Sequence, residues 1–263
     1  MRKSLTILAL AIIAAGIVSC GRKPVTFTPI TYSNAVSLEE GSADSITISV
    51  NVEYPDTDAD KRSENITGAI TEALFGDACT GMEPEDAIKA WADSLVSEYR
   101  ESNLEILDML RKNGDKGPHM SMNWGFDKSG KQTGIYRDIL GYTVVSYSFT
   151  GGAHGGMSEF HLNFDLSTGK LLKQEDVFAD GFEKQTGKLL MKHLNDGRSP
   201  EEEISLLTDT IEPNGNFSIG ENGVTFTYNQ YEIAAYSFGI IDILIPADEI
   251  RPYLKTGMNL YDD

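Results

Sequence analysis

Polar and apolar residues alternate along several short stretches of the chain, and this period of two predicts β-strands. The clearest case is SITISVNVEY at 45–54, where every second residue is apolar and Pro55 follows. Successive side chains of a strand point to opposite faces, so this pattern predicts a half-buried strand. Similar stretches predict further strands at 120–124, 142–149, 160–166, 216–219, 224–228 and 240–245.

Other stretches repeat their apolar residues at the spacing of a helix. Helices are predicted at 63–75 and 83–110. The second places its apolar residues on one face, and Pro84 with the acids beside it suits a first helical turn. Further helices are predicted at 176–195, 200–208 and 247–254. Gly130 predicts a turn, and Asn222-Gly223 between two strand patterns predicts a hairpin.

The order of these elements predicts an α+β fold with mostly antiparallel sheets and helices packed on one face. We expect two intertwined or adjacent modules, at 44–150 and 151–256, with a frayed tail at 257–263. The residues between 20 and 43 contain prolines, serines and threonines without a sustained period, and they predict a flexible linker.

The first residues have the three regions of a secretory signal: Arg2 and Lys3, an apolar run from Leu5 to Val18, and then Ser19-Cys20. The run is shorter than the about 20 residues that cross a membrane as a helix. The segment 17–20 resembles the lipobox of bacterial lipoproteins. This resemblance implies cleavage of residues 1–19, lipid on Cys20 and attachment to the cell envelope, at the outer membrane in a Gram-negative host, where the body faces the periplasm or the cell surface.

The chain has 40 acidic and 22 basic residues and a formal charge of −18. Loss of residues 1–19 removes Arg2 and Lys3 and no acid, which leaves −20. Nucleic acid is excluded as a partner because phosphate binding needs clustered lysine and arginine, whereas a cationic partner is favoured. If Cys20 carries lipid, Cys79 has no cysteine to pair with, so we expect a fold without disulfide, metal or cofactor.

Three segments of the second half, in order, resemble a known family. They are VVSYSFTGGAHG, then FHLNFDLSTGKLLKQEDVF, and then GVTFTYNQYEIAAYSFG with IPADEIRPYL. Together they resemble the extracellular module shared by an anti-sigma factor that recognises lysozyme and by the non-catalytic part of a peptidoglycan deacetylase. The chain shows neither the metal-ligand cluster of such a deacetylase nor a sigma-binding segment, so neither whole activity is expected here.

Two segments contain candidate binding residues. Gly151, Gly152 and His154 lie in a glycine-rich loop, where backbone N–H groups can approach a ligand closely. The alternative is that the glycines only supply positive φ angles and that the imidazole of His154 fixes the loop by a hydrogen bond across the sheet. Tyr231, Glu232 and Tyr236 combine two aromatic anchors with a carboxylate and suit a sugar or a basic protein surface; they could instead pack at the edge of the core.

We therefore expect a non-enzymatic binding or sensing lipoprotein of the cell envelope. Its expected ligand is a cell-wall component such as a peptidoglycan fragment, or a basic lysozyme-like protein. Two alternatives remain open: a hydrolase of the cell wall that uses His154, and a structural envelope lipoprotein without a soluble ligand. No catalytic residue and no metal ligand are predicted.

Overall fold

The computed structural model describes residues 24–56, 61–115, 117 and 119–262, and the predicted signal peptide with Cys20 lies outside them. The strands are β1 (Phe27–Ser37), β2 (Ser45–Pro55), β3 (Trp124–Tyr136), β4 (Ile139–Phe149), β5 (Gly156–Asp165), β6 (Leu171–Leu172), β7 (Phe217–Gly220), β8 (Gly223–Tyr228) and β9 (Ile241–Pro246). The helices are α1 (Lys61–Phe75), α2 (Pro84–Lys112), α3 (Gln174–Val177), α4 (Glu183–His193) and α5 (Ala247–Ile250). Within these residues, no helix is both long and apolar enough to span a bilayer.

The predicted α+β class is confirmed. One mostly antiparallel sheet has the strand order β1-β2-β3-β4-β5-β6, in which β2 and β3 are parallel. A second sheet has the order β7-β8-β9 and is antiparallel throughout. The predicted hairpin joins β7 to β8. Its two turn residues are Glu221 and Asn222, one position before the predicted pair Asn222-Gly223, because Gly223 already pairs with Gly220 in the ladder.

The described chain divides into two compact units, and the boundary differs from the predicted one near 150. Unit 1 contains the described residues up to Lys131 together with Ser146–Gly156, and unit 2 contains Gln132–Val145 and the residues from Met157 onward. The long strands β3 and β4 contribute residues to both units. A linear division of the sequence could not show this, because strand pairing brings distant segments of the chain together.

The core of unit 1 lies between strand β2 and the helices α1 and α2. Ile46, Ile48 and Val50 of β2 are buried, while the residues between them are exposed. Tyr99 and Leu95 of α2 pack with Ile46 and Ile48 and with Trp124 of β3 in one cluster. The period-two pattern of β2 and the helical stripe of α2 therefore bury their apolar faces against each other.

The core of unit 2 is built around the second sheet and α4. Phe217 and Phe226 of β7 and β8 pack with Phe178 and Phe182, whose rings stack with 4.7 Å between centroids. The buried residues of β9 and Leu190 of α4 belong to the same cluster.

The predicted linker is wrong over Phe27–Ser37, which forms strand β1 and pairs along its full length with β2. Tyr32 and Val36 pack against the core of unit 1. Pro29 is compatible with this position because β1 is an edge strand, where one missing N–H breaks no ladder bond. The alternation at Ile30, Tyr32 and Val36 was present in the sequence, but prolines and hydroxyl residues obscured it.

Three further predictions are wrong. The tail is not frayed at Leu260 and Tyr261, which are buried, and the Tyr136 hydroxyl donates to the Leu260 carbonyl at 2.7 Å. Residues 200–208 form only a 3-10 turn at Pro200–Glu202, although the capping box at Ser199 and Glu202 is present. Gly130 lies inside β3 rather than in a turn, since its partner Val52 continues the parallel ladder.

The boundaries of two further elements also differ from the prediction. Met120–Met122 is a 3-10 turn, not the start of a strand. The helix expected at 176–195 is divided into α3 and α4, and Gly181 between them has φ +77°. Phe178, which follows α3, already has an extended backbone, with φ −102° and ψ 148°. Together with the left-handed Gly181, this prevents one continuous right-handed helix over the segment.

Candidate functional site

Two glycines of the glycine-rich loop in unit 1 make contacts that leave no room for a side chain. Gly151 has φ +89°, and a Cβ on it would overlap the carbonyl oxygen of Ser121 and lie 3.1 Å from that residue's Cα. A Cβ on Gly155 would overlap the ring of Tyr147. Gly152 has φ +94°, but the space around it is open. The first two glycines therefore permit close packing, and the third supplies conformation only.

His154 lies at the exposed tip of this loop. Its Nδ1 is 3.1 Å from the carbonyl oxygen of Gly155, the next residue. Among the residues that the structure describes, no group of three or more histidine, cysteine, aspartate or glutamate side chains is placed to hold a metal ion.

Tyr231 and Tyr236 come together in unit 2, with 5.7 Å between their ring centroids. The side chain of Tyr231 is 60% exposed, and its backbone has φ +70°. Residues with a large side chain rarely adopt this left-handed conformation. It costs on the order of 1 kcal/mol and persists only where the surrounding structure enforces it. We call these two residues the tyrosine pair.

The segment between the two tyrosines is what enforces this geometry. Ile233 and Ala234 are buried in the core of unit 2, and the Ile233 carbonyl accepts a hydrogen bond from the Leu207 backbone N–H at 2.8 Å. Glu232 points elsewhere, since its carboxylate accepts a hydrogen bond from the Asn214 amide at 2.8 Å. The buried residues Ile233 and Ala234 therefore hold the two aromatic rings at the surface, and Glu232 helps to fix the loop.

A row of side-chain amides holds strand β5 in unit 2. The Asn216 Oδ1 accepts from the His161 backbone N–H at 2.8 Å, and the Asn229 Oδ1 accepts from the Glu159 N–H at 2.7 Å. Gln230 accepts from the Met157 N–H in the same way at 3.0 Å. The N–H groups of alternate residues point to one edge of a strand, so these amides act as the pairing partner that a neighbouring strand would otherwise provide.

His161 of β5 forms a polar relay with residues of the same unit. Its Nδ1 is 2.9 Å from the Thr143 hydroxyl, and its Nε2 is 3.4 Å from a carboxylate oxygen of Glu159. Burial lowers the pKa of His161 in spite of the acids nearby, so the imidazole is neutral at neutral pH. Thr143 is itself buried, which makes it a hydrogen-bond partner rather than an accessible nucleophile.

Sequence reasoning missed Lys128 of β3. Its ammonium lies 5.2 Å from the ring centroid of Trp91 and 5.9 Å from that of Phe75, and it donates to the Ser146 hydroxyl at 3.1 Å. A signal was present, because the alternation of Trp124, Phe126 and Lys128 places a charged residue at an apolar position of the strand.

Comparison with known proteins identifies one segment of the chain. Residues 175–248 match a family model. Its description is a protein of unknown function, DUF3298. The matched residues include the tyrosine pair and the amides Asn216, Asn229 and Gln230, whereas the glycine loop and Lys128 lie outside them. No functionally curated protein matches the sequence.

Two solved structures extend the similarity to most of the chain. A DUF3298 family member from Bacteroides fragilis is 25% identical, with a TM-score of 0.79 over 88% of this chain and 94% of its own. A DUF3298 family protein from Pseudomonas aeruginosa is 16% identical, with a TM-score of 0.62 over 90% of this chain and 97% of its own. The second similarity shows the fold alone.

Proposed function

We propose that this protein is a lipid-anchored, non-enzymatic binding protein of the bacterial cell envelope, and that the tyrosine pair contacts a basic, lysozyme-like protein. The observation that carries the proposal is the exposed, conformationally strained Tyr231 beside Tyr236. The packing of unit 2 keeps Tyr231 in this strained conformation, and strain of this kind is concentrated at binding sites.

The chemistry of the surface supports a cationic partner. Tyrosine is enriched among the residues that dominate binding energy, because it presents a large, rigid apolar surface with one polar tip. The formal charge, −18 for the whole chain and −20 after loss of residues 1–19, accelerates encounter with a basic protein. The resemblance to a lysozyme-recognising module indicates the same class of partner.

Replacing Tyr231 or Tyr236 with alanine should weaken binding to a lysozyme-like protein about tenfold or more, since aromatic anchors at the centre of an interface carry much of its energy. The measurement is calorimetric titration of the full-length protein with hen egg-white lysozyme in about 0.15 M salt, where the Debye length is about 8 Å and long-range attraction is largely screened.

Ile135→Ala is a matched control, because Ile135 lies in the same unit and is 59% exposed, close to the 60% of Tyr231. It should bind as the wild type does. Loss of binding at this salt concentration, or unchanged affinity in both tyrosine variants, would reduce the interaction to nonspecific charge attraction. Release of new products from peptidoglycan fragments would contradict the non-enzymatic part of the proposal.

The proposed anchor is tested by the mass of the exported protein. Expression in a bacterial host should yield a chain that begins at Cys20 and carries lipid, because the apolar run ends directly before that residue. The Cys20→Ala variant should lack the added mass of the acyl chains. A wild-type protein without lipid would show that the lipobox interpretation is wrong, while the binding proposal would stand on its own test.

A further inference from the structure

We propose that Lys128, Ser146 and Trp91 of unit 1 form a binding site for a small carboxylate that has an apolar or aromatic body. We call these three residues the Lys128 site. It is separate from the tyrosine pair, which belongs to unit 2.

The position of Lys128 is the first argument. In the parallel ladder Lys128 is the partner of Val50, and Phe126 is the partner of Ile48, so Lys128 extends from the face of β3 that packs under α1 and α2. It is the one lysine of the described chain that is not exposed. An ammonium at this depth loses hydration, which must be offset by a partner.

The partners available within the protein do not neutralise the charge. Ser146 accepts one hydrogen bond, and the rings of Trp91 and Phe75 offer only the weaker attraction of their π faces. Other cations of the described chain form ion pairs with carboxylates, at Lys61–Glu64, Lys89–Asp93, Arg111–Glu39, Lys112–Asp108, Lys170–Asp176 and Lys192–Glu249. Among the residues that the structure describes, no carboxylate forms such an ion pair with Lys128.

Burial alone lowers the pKa of Lys128 to about 8, with no opposing contribution from a carboxylate. The amine is still mostly protonated at neutral pH. In a chain with 40 acidic residues, no described carboxylate pairs with this half-buried cation, which leaves it available to an external anion.

The surrounding groups indicate which anion fits. Lys128, Ser146 and Trp91 are each partly accessible, so a small molecule can reach them. One ammonium and one hydroxyl match the two oxygens of a carboxylate: the ammonium donates to one, and the Ser146 hydroxyl, which accepts from Lys128, can donate to the other. The rings of Trp91 and Phe126, which meet edge to face at 6.3 Å, offer an apolar surface for the rest of the ligand.

The test is a titration of the full-length protein, labelled with [13C]lysine, with sodium benzoate. The Lys128 Cε resonance, assigned by its absence in Lys128→Met, should titrate near pH 8 without benzoate and at a higher pH with it. Only the protonated Lys128 binds the anion. The affinity for benzoate should therefore fall about tenfold for each pH unit above the midpoint measured without benzoate. Benzyl alcohol, which has the same ring without the charge, should leave the midpoint unchanged.

Lys128→Met keeps an unbranched side chain of similar length, and it should weaken benzoate binding about tenfold or more. Ser146→Ala should weaken it less. Lys131→Met is the matched control, since Lys131 is an exposed lysine of the same strand, and it should bind benzoate as the wild type does. A melting temperature of Lys128→Met at or above the wild-type value verifies that the loss is not unfolding.

Three results would overturn the proposal. The first is that benzoate shifts the resonance of Lys128 no more than that of Lys131. The second is that Lys128→Met binds benzoate as well as the wild type does. The third is that inorganic phosphate binds more tightly than benzoate, which would show that the site does not select a carboxylate.

Discussion

Replacing Gly151 with alanine should lower the free energy of unfolding by about 3 kcal/mol, because two costs add at this position. The backbone keeps φ +89°, where an L-residue is strained, and the new Cβ would overlap the Ser121 carbonyl oxygen. That oxygen belongs to the backbone of a 3-10 turn and cannot rotate away as a side chain could. Denaturant titration followed by tryptophan fluorescence measures the change, since Trp91 and Trp124 both lie in unit 1.

Gly152→Ala is a matched control within the same loop. Gly152 has φ +94°, almost the same conformation, but nothing lies within 4 Å of its added Cβ. It should therefore show the conformational cost alone, about 1 kcal/mol. Equal losses in the two variants would mean that the contact with Ser121 does not constrain the loop.

Replacing Asn163 with alanine should destabilise unit 2 by about 3 kcal/mol. Asn163 is 1% exposed. Its amide donates to the Phe217 carbonyl at 2.7 Å and accepts from the Ile219 N–H at 3.1 Å, which joins β5 to β7. Alanine removes both bonds and leaves two buried backbone groups without a partner. Hydrogen exchange of the segment 217–220, measured by mass spectrometry, should become faster.

Asn259→Ala provides the comparison, because Asn259 is exposed near the end of the chain and its loss should change stability by less than about 0.5 kcal/mol. If the amides of β7 exchange no faster in Asn163→Ala than in the wild type, the amide bridge between the strands adds no stability.

The two candidate surfaces differ in how far the sequence could predict them. Tyr231 and Tyr236 are five positions apart, and their aromatic character made them visible as candidates. Their contact could not be predicted, because it depends on the left-handed φ of Tyr231 and on the burial of Ile233 between them. Those features arise from the packing of unit 2 around this segment.

The Lys128 site shows the opposite case. Its three members come from α2, β3 and β4, and no local pattern relates Trp91, Lys128 and Ser146 along the chain. The parity of Lys128 within its strand indicated only that a charge lies on an apolar face. Its aromatic neighbours appear once α1 and α2 pack on that face.

The sequence by itself determined the elements whose pattern is local and strong. The alternation of β2, the apolar stripe of α2, the hairpin of β7 and β8 and the apolar run of β9 each predicted its element, because side-chain periodicity follows directly from backbone geometry. The α+β class followed from their order.

Only the tertiary structure decided features that depend on distant partners. β1 is a strand because β2 offers it a full-length edge, and Leu260 is buried because Tyr136 lies beside it. The short segment 200–208 has helical residues but too little buried face to extend beyond one 3-10 turn. Local propensity in such segments amounts to a few tenths of a kcal/mol per residue, and tertiary burial and pairing exceed it.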